Sequence, residues 1–199
     1  MDQGIVLASG SAARRRMLEA AHVPHEVEMP RVDEEMIRLA AIDSGAAPRD
    51  IADTLAEHKA VSVSRRHAGR LVLGADQLLV HEGEIFRKPA DIGEAAAQLR
   101  RLRGGTHELV TAAVIVRDGR ALWRHVAVPR LSMRPFSDAY LARYLERNGS
   151  VVCRSVGAYM IEGEGVRLMD RIEGDLFTIQ GLPLLPLLRY LTDIGHLEG

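Results

Sequence analysis

Three stretches of this 199-residue chain carry residue types that could act on phosphate. Ser9-Gly10-Ser11 stands after an apolar run and just ahead of Arg14, Arg15 and Arg16. A strand, a small-residue turn and a helix start offer backbone N–H groups, two hydroxyls and a positive dipole end to an anion. Arg14 and Arg15 can add bidentate contacts to phosphate oxygens. The Gly-Lys-Thr of a nucleotide-binding P-loop is missing, so that motif is excluded. An N-capped surface helix with solvated arginines would use the same residues. The second stretch ends the apolar run 71–75 in Asp76. A carboxylate at the carboxyl end of a buried strand lies at the sheet's rim, where ligands bind. There it can hold a hard divalent cation or act as a general base, or simply cap a turn.

Lysines supply the third element. Lys59 shares a helical face with Leu55, Ala56 and Val63, so its ammonium either snorkels to water or meets an anion. Lys88 precedes Pro89, which holds it in extended backbone. Taken with Arg14 and Asp76, the two lysines outline a polyphosphate site, where positive groups neutralise charge developing on oxygen. Other chemistries find less support. Asp33, Glu34 and Glu35 read as a short solvated charge run. His22 and His25 are separated by Pro24 and lack paired metal-ligand spacing, so no zinc site is expected. Ser9 and Ser11 have no identifiable His or Asp partners for a serine hydrolase.

The elements that must position these groups follow from periodicity. Residues 5–8 form a short apolar strand. Ser11 caps a helix running to about Ala21, and residues 24–29 alternate weakly as a second strand. Residues 30–50 show weak periodicity, with Gly45 and Pro48 marking loop. A helix opens at Pro48 or Asp50 and runs to about Arg66, followed by the strand ending at Asp76 and a hairpin-like stretch through Gly83 to Pro89. A helix over 91–102 turns Ala95, Leu99 and Leu102 inward. Two long strands, 107–117 and 121–133, flank Asp118-Gly119, a strong hairpin signal. A helix over 138–147 stops at Asn148-Gly149. A glycine-rich stretch over 157–165, a strand over 166–172 and a last helix over 183–193 complete the chain. The expected fold is one α/β domain over 1–199 with a mixed sheet.

Composition narrows the function classes. The chain carries 26 basic and 27 acidic residues, for a net charge of −1, which argues against nonspecific nucleic-acid binding. Its single cysteine, Cys153, excludes an internal disulfide and fits a reducing compartment. No apolar run approaches the roughly 18 residues of a membrane helix. The opening Met1-Asp2-Gln3-Gly4-Ile5 lacks the features of a secretory leader. The expectation is a cytoplasmic protein without membrane or nucleic-acid partners.

In combination these stretches form a recognisable pattern. Leu7-Ala8-Ser9-Gly10-Ser11 before the arginines resembles the opening motif of the Maf nucleotide pyrophosphatases. Val32-Asp33-Glu34 and Lys59-Ala60 resemble the next two motifs, and Gly74-Ala75-Asp76-Gln77 with Lys88-Pro89 the central one. Leu102-Arg103-Gly104-Gly105-Thr106-His107 with Thr111, Gly157-Ala158-Tyr159, Ile172-Glu173-Gly174-Asp175 and Gly181-Leu182-Pro183-Leu184 continue the match in order.

The resemblance implies two lobes flanking a central cleft, a homodimer, and hydrolysis of a small-molecule nucleotide between its α and β phosphates. It also implies a divalent cation, Mg or Mn. Asp76 would be the general base or metal-linked acid, with Glu34 helping to hold metal. Ser9, Ser11, Arg14, Arg15, Lys59 and Lys88 would bind the phosphates. Position 13, where the family usually has a large residue, is Ala13, and Ala12 replaces its usual proline. Both Ala13 and the pair Gln77 and Glu162 bear on specificity. Gln77 and Glu162 resemble the branch acting on 7-methyl-GTP, because members acting on dTTP and UTP usually carry Thr and Gln there. A carboxylate accepts from a guanine edge and favours a cationic methylated base. The alternatives are a dTTP/UTP pyrophosphatase and a non-catalytic nucleotide-binding regulator of cell division.

Overall fold

Apolar strands alternate with helices from the start of the chain, as the sequence pattern requires. The computed structural model describes residues 4–198; Met1, Asp2 and Gln3, on which the expectation of no secretory leader partly rests, lie outside the described residues. In chain order the elements are β1 (Ile5–Ala8), α1 (Ala12–Ala20), β2 (His25–Val27), α2 (Glu34–Asp43), α3 (Pro48–Ser64), β3 (Val72–His81) and β4 (Glu84–Phe86). Then come α4 (Ile92–Leu102), β5 (Thr106–Arg117), β6 (Arg120–Ala127), β7 (Arg130–Met133), α5 (Asp138–Asn148), β8 (Met169–Glu173), α6 (Leu176–Ile179) and α7 (Leu184–Asp193). Short 3-10 turns at Gly149–Arg154, Val156–Ala158 and Glu164–Leu168 fill the gap before β8. The eight strands hydrogen-bond in the order β2-β1-β3-β5-β7-β8, with β4 on β3 and β6 on β5. This is the mixed α/β sheet expected.

The chain divides into two compact units. The first comprises Met1–Gln77, Thr111–Ala127 and Gly181–Gly199. Here β1 runs parallel to β2 and to β3, so helices must carry the chain back between strands. All four residues of β1 are buried, as befits a parallel strand covered on both faces. The core gathers Ile5, Leu7, Leu18, Leu73, Ile115 and Leu187 around it. The β5–β6 hairpin turns at Asp118 and Gly119, both at positive φ (50° and 77°), the conformation a two-residue turn needs and these residues tolerate.

The second unit comprises Leu78–Val110 and Val128–Gln180. Its pairings are antiparallel, β3 with β4, β5 with β7 and β7 with β8. A separate core contains Leu79, Phe86, Leu99, Leu131, Tyr144 and Tyr159.

Three sequence expectations need correction, and one element goes beyond them. Residues 34–43, where the weak periodicity marks no element, form α2; none of its residues is buried, and its apolar side chains Met36, Leu39 and Ile42 are exposed. Its signal was capping: Asp33 Oδ1 accepts from the Met36 N–H at 2.9 Å, and Glu34 and Glu35 occupy the first turn, where acids favour the dipole. The strand through Asp76 continues to His81, so Asp76 lies within it. The expected strand over 121–133 splits into β6 and β7, because Pro129 cannot donate to a ladder. The strand expected over 166–172 starts later, at Met169, after a 3-10 turn.

Candidate active site

Parallel register places the chemistry of the first unit. Ala8 of β1 pairs with Gly74 of β3, so Ser9 and Ala75-Asp76 leave the same level of the two strands. This is the carboxyl end of a parallel pair, where α/β folds present ligand-binding groups. Alongside it runs α3, which buries Ile51, Ala52, Leu55, Ala56, Lys59, Ala60 and Val63, a face at helical spacing. Gly74 sets the distance between strand and helix. A Cβ there would stand 2.1 Å from the Ala56 carbonyl oxygen and 2.8 Å from the Ala60 nitrogen, so only glycine lets β3 approach α3 this closely.

That approach brings Lys59 to Asp76. The Lys59 ammonium donates to Asp76 Oδ1 at 2.6 Å and reaches Glu34 Oε2 at 2.8 Å. Lys59 and Asp76 are buried, at 6% and 7% exposure, whereas the Glu34 side chain is 53% exposed. One cation and two carboxylates therefore meet at a point with access to water. Burying such a pair is costly, and it persists only with good geometry.

A second cluster forms behind the Ser9 turn. Ser11 caps α1, its hydroxyl accepting from the Arg14 N–H at 3.4 Å, and the Ser9 hydroxyl accepts from the Ser11 N–H at 3.2 Å. The buried Arg14 side chain donates to Gly181 O at 2.7 Å, Ala75 O at 2.9 Å and Ser9 Oγ at 3.1 Å. Burial lowers the guanidinium's pKa from its ordinary value, while the charges of Asp76 and Glu34 oppose that shift.

The structure thus brings Ser9, Ser11 and Arg14 together, and Glu34, Lys59 and Asp76 together. Arg15 stands elsewhere: it is half-exposed and ion-paired with Glu19 at 3.3 Å on the outer face of α1. Ala13 occupies the first turn of α1 and is partly exposed. Gln77 donates its side-chain amide to Thr111 Oγ1 at 2.8 Å. Lys88 and Glu162 are exposed residues of the second unit. Among the described residues no group of three or more His, Cys, Asp or Glu side chains gathers to hold a metal. The oxygen donors converging at one point are the carboxylates of Glu34 and Asp76. Sequence reasoning missed the acceptors that fix Arg14, since Ala75 and Gly181 act through backbone carbonyls that no side-chain type announces.

Comparison with known proteins decides the family. The chain matches the Maf-like protein family over residues 4–194. It belongs to the Maf family. It is 51% identical over 197 residues to a nucleoside triphosphate pyrophosphatase of Roseobacter denitrificans, covering 99% of each chain. It is 48% identical over 199 residues, the whole of both chains, to a 7-methyl-GTP pyrophosphatase of Mesorhizobium japonicum. A nucleoside triphosphate pyrophosphatase of Caulobacter vibrioides is 51% identical over 193 residues, with 97% and 96% covered. Within this Maf chain, no helix of the described residues is long and apolar enough to cross a membrane.

Proposed function

We propose that this Maf-family chain hydrolyses nucleoside triphosphates to the monophosphate and pyrophosphate, with 7-methyl-GTP or a related guanine nucleotide as the preferred substrate. The observation that carries the proposal is the buried Lys59 ammonium bridging Asp76 and Glu34 at 2.6 and 2.8 Å, beside the Ser9–Ser11 helix start. Such a cluster has the parts that attack at a phosphate requires. Asp76 accepts the proton of a water molecule as its oxygen bonds to the α-phosphorus. The bond from that phosphorus to the bridging oxygen then breaks, and pyrophosphate leaves with the electron pair. Lys59 orients Asp76 and offers positive charge to the phosphate oxygens, while the N-terminus of α1 and the Ser9 and Ser11 hydroxyls bind the anion.

The donor set also fits a divalent cation such as Mg or Mn, which is commonly held by one or two carboxylates with phosphates and water completing its shell. Glu34 and Asp76 would hold it, and when bound it supplies charge neutralisation to the phosphates. The roles of Lys88 in phosphate binding and Glu162 in base choice rest on their places in the sequence pattern. What supports the methylated guanine is the pair Gln77 and Glu162, together with a relative bearing that name.

The test is pyrophosphate release from a panel of canonical and methylated triphosphates with Mg²⁺. Wild type should act most strongly on 7-methyl-GTP. Asp76→Asn should lose turnover by about 10³-fold or more, as expected when a base is removed, with triphosphate binding changed by less than about tenfold. Glu162→Gln should weaken guanine nucleotides more than pyrimidine ones. Release from dTTP or UTP alone would overturn the substrate branch, and binding without any release would point to a nucleotide-binding regulator.

A further inference from the structure

Arg14 is the buried charge that the proposed reaction does not yet use. A guanidinium carries five N–H donors, and bidentate recognition of a phosphate takes a fork of two neighbouring ones. The Nε–H goes to Gly181 O at 2.7 Å, and Nη1 makes two bonds, to Ala75 O at 2.9 Å and Ser9 Oγ at 3.1 Å. The single proton of Nε and both of Nη1 are therefore committed within the chain. Each fork of the guanidinium, Nε with Nη2 and Nη1 with Nη2, has lost a member. Gly181 packs close to the group: a Cβ there would lie 3.4 Å from Nη2 and 3.5 Å from Nε. The residue is 8% exposed.

We infer that Arg14 is a positioning residue for Asp76 and the Ser9 turn, and not a bidentate phosphate ligand. One planar group ties together the carbonyl immediately before Asp76, the hydroxyl of Ser9 and the backbone of Gly181. Asp76 thereby holds its place relative to the turn where the anion binds. The inference rests on the pyrophosphatase reading, in which Asp76 is the base. It differs from what the family resemblance implies for Arg14, a direct phosphate contact. Lysine cannot substitute for such a planar three-way brace, because its ammonium is a point charge on a flexible stem.

Arg14→Lys separates the two roles, since it keeps the charge and removes the three-way brace. Kinetics of pyrophosphate release should be measured alongside the affinity for an α,β-methylene triphosphate analogue, with thermal melting to follow folding. A positioning role predicts a loss of about 100-fold in kcat, the size expected when reacting groups are misplaced by about 1 Å. The analogue's Kd should change by less than about threefold, because binding in the ground state is retained. A Kd weakened about tenfold or more with kcat retained would make Arg14 a phosphate ligand, and unchanged kcat and Kd would equally overturn the inference. Hydrogen exchange in the wild-type protein covers the case in which the variant does not fold. The Arg14 Nε–H should exchange far more slowly than that of Arg15 without any ligand; protection that appears only with the analogue would overturn the brace. A wild-type enzyme without turnover would instead fail the pyrophosphatase reading itself.

Discussion

The two units bury different kinds of polar group. In the first, Arg14, Lys59 and Asp76 are buried, each with a formal charge, together with Ser9, Ser64 and Thr111. In the second, the buried polar side chains are His81, Gln98, His107 and Thr178. Around His107 in the second unit, the hydrogen bonds join side chains that burial holds neutral. His107 Nε2 and the Tyr159 hydroxyl lie 2.7 Å apart, and the Tyr144 hydroxyl donates to Ala158 O at 3.2 Å. Burial lowers the His107 pKa to about 4 and raises those of Tyr144 and Tyr159, so all three stay neutral at pH 7. Buried ion pairs add little net stability compared with apolar packing of the same volume. A unit that keeps three buried charges on β3, α3 and α1 does so for a reason other than stability, and chemistry on an anion is such a reason. The neutral network serves packing, where each satisfied bond fixes one arrangement of the core.

The largest effect that tests this contrast is expected at Lys59. Lys59→Met removes the cation bonded to Asp76 and leaves that carboxylate buried beside Glu34, with only the more distant charge of Arg14 to oppose it. Breaking a buried pair costs up to roughly 3–5 kcal/mol when the remaining charge loses its partner. Urea denaturation at pH 7 should show that loss, and pyrophosphate release should fall with it. The double variant Lys59→Met, Asp76→Leu should recover most of the stability and none of the activity. Recovery of activity would break the claim that the charges are kept for chemistry.

The next effect belongs to the second unit and depends on pH. His107 takes up a proton at about pH 4 in the folded protein, against 6.5 ordinarily, chiefly because burial penalises the charged ring and secondarily because His81 repels it. The unfolded chain therefore binds this proton first as pH falls, so stability is lost between about pH 6.5 and pH 4 and is level outside that window. The shift corresponds to about 3 kcal/mol. His107→Gln should remove that part of the acid dependence in urea melts taken across the window. An equal slope in wild type and variant would mean that the ring is not held neutral by its surroundings.

How much of this was legible in advance depended on what each residue shows to a reader of sequence. Strand β1, the buried face of α3 and the Asp118-Gly119 hairpin are written in periodicity and turn chemistry, and they are found as expected. A lysine on an apolar face needs an explanation, and the contact of Lys59 with Asp76 provides one. Helix α2 is harder to read because its periodicity is weak and its start, Asp33-Glu34-Glu35, has the look of a solvated charge run. Arg15 looked equivalent to Arg14 in sequence. The helical turn of about 100° between neighbours separates them, sending Arg14 into the core and Arg15 to Glu19. The brace on Arg14 uses carbonyls at Ala75 and Gly181, which are distant in sequence and carry no side-chain signature.

Glycine substitutions give the smallest and most local test. In the first unit, Gly74→Ala would drive a Cβ to 2.1 Å from Ala56 O and 2.8 Å from Ala60 N. Those are backbone atoms of α3, so the strand or the helix has to move as a whole. Overpacking of this kind costs about 1–3 kcal/mol, and it also pushes apart the two elements that carry Asp76 and Lys59. In the second unit, Gly93→Ala meets only Asp91 Oδ1, at 3.2 Å, the oxygen that caps α4 by accepting from the Glu94 N–H at 2.8 Å. Gly93 is the second residue of α4, where the helical preference for alanine and the slight pressure on the cap oppose each other, so melting should change little. Activity is the sharper readout: turnover in Gly74→Ala should fall by more than its fraction unfolded explains, because separating Lys59 from Asp76 disarms molecules that are still folded. If activity instead tracks the folded fraction in both variants, the close approach of β3 to α3 serves packing alone. The first unit would then keep its charges together by some means other than Gly74.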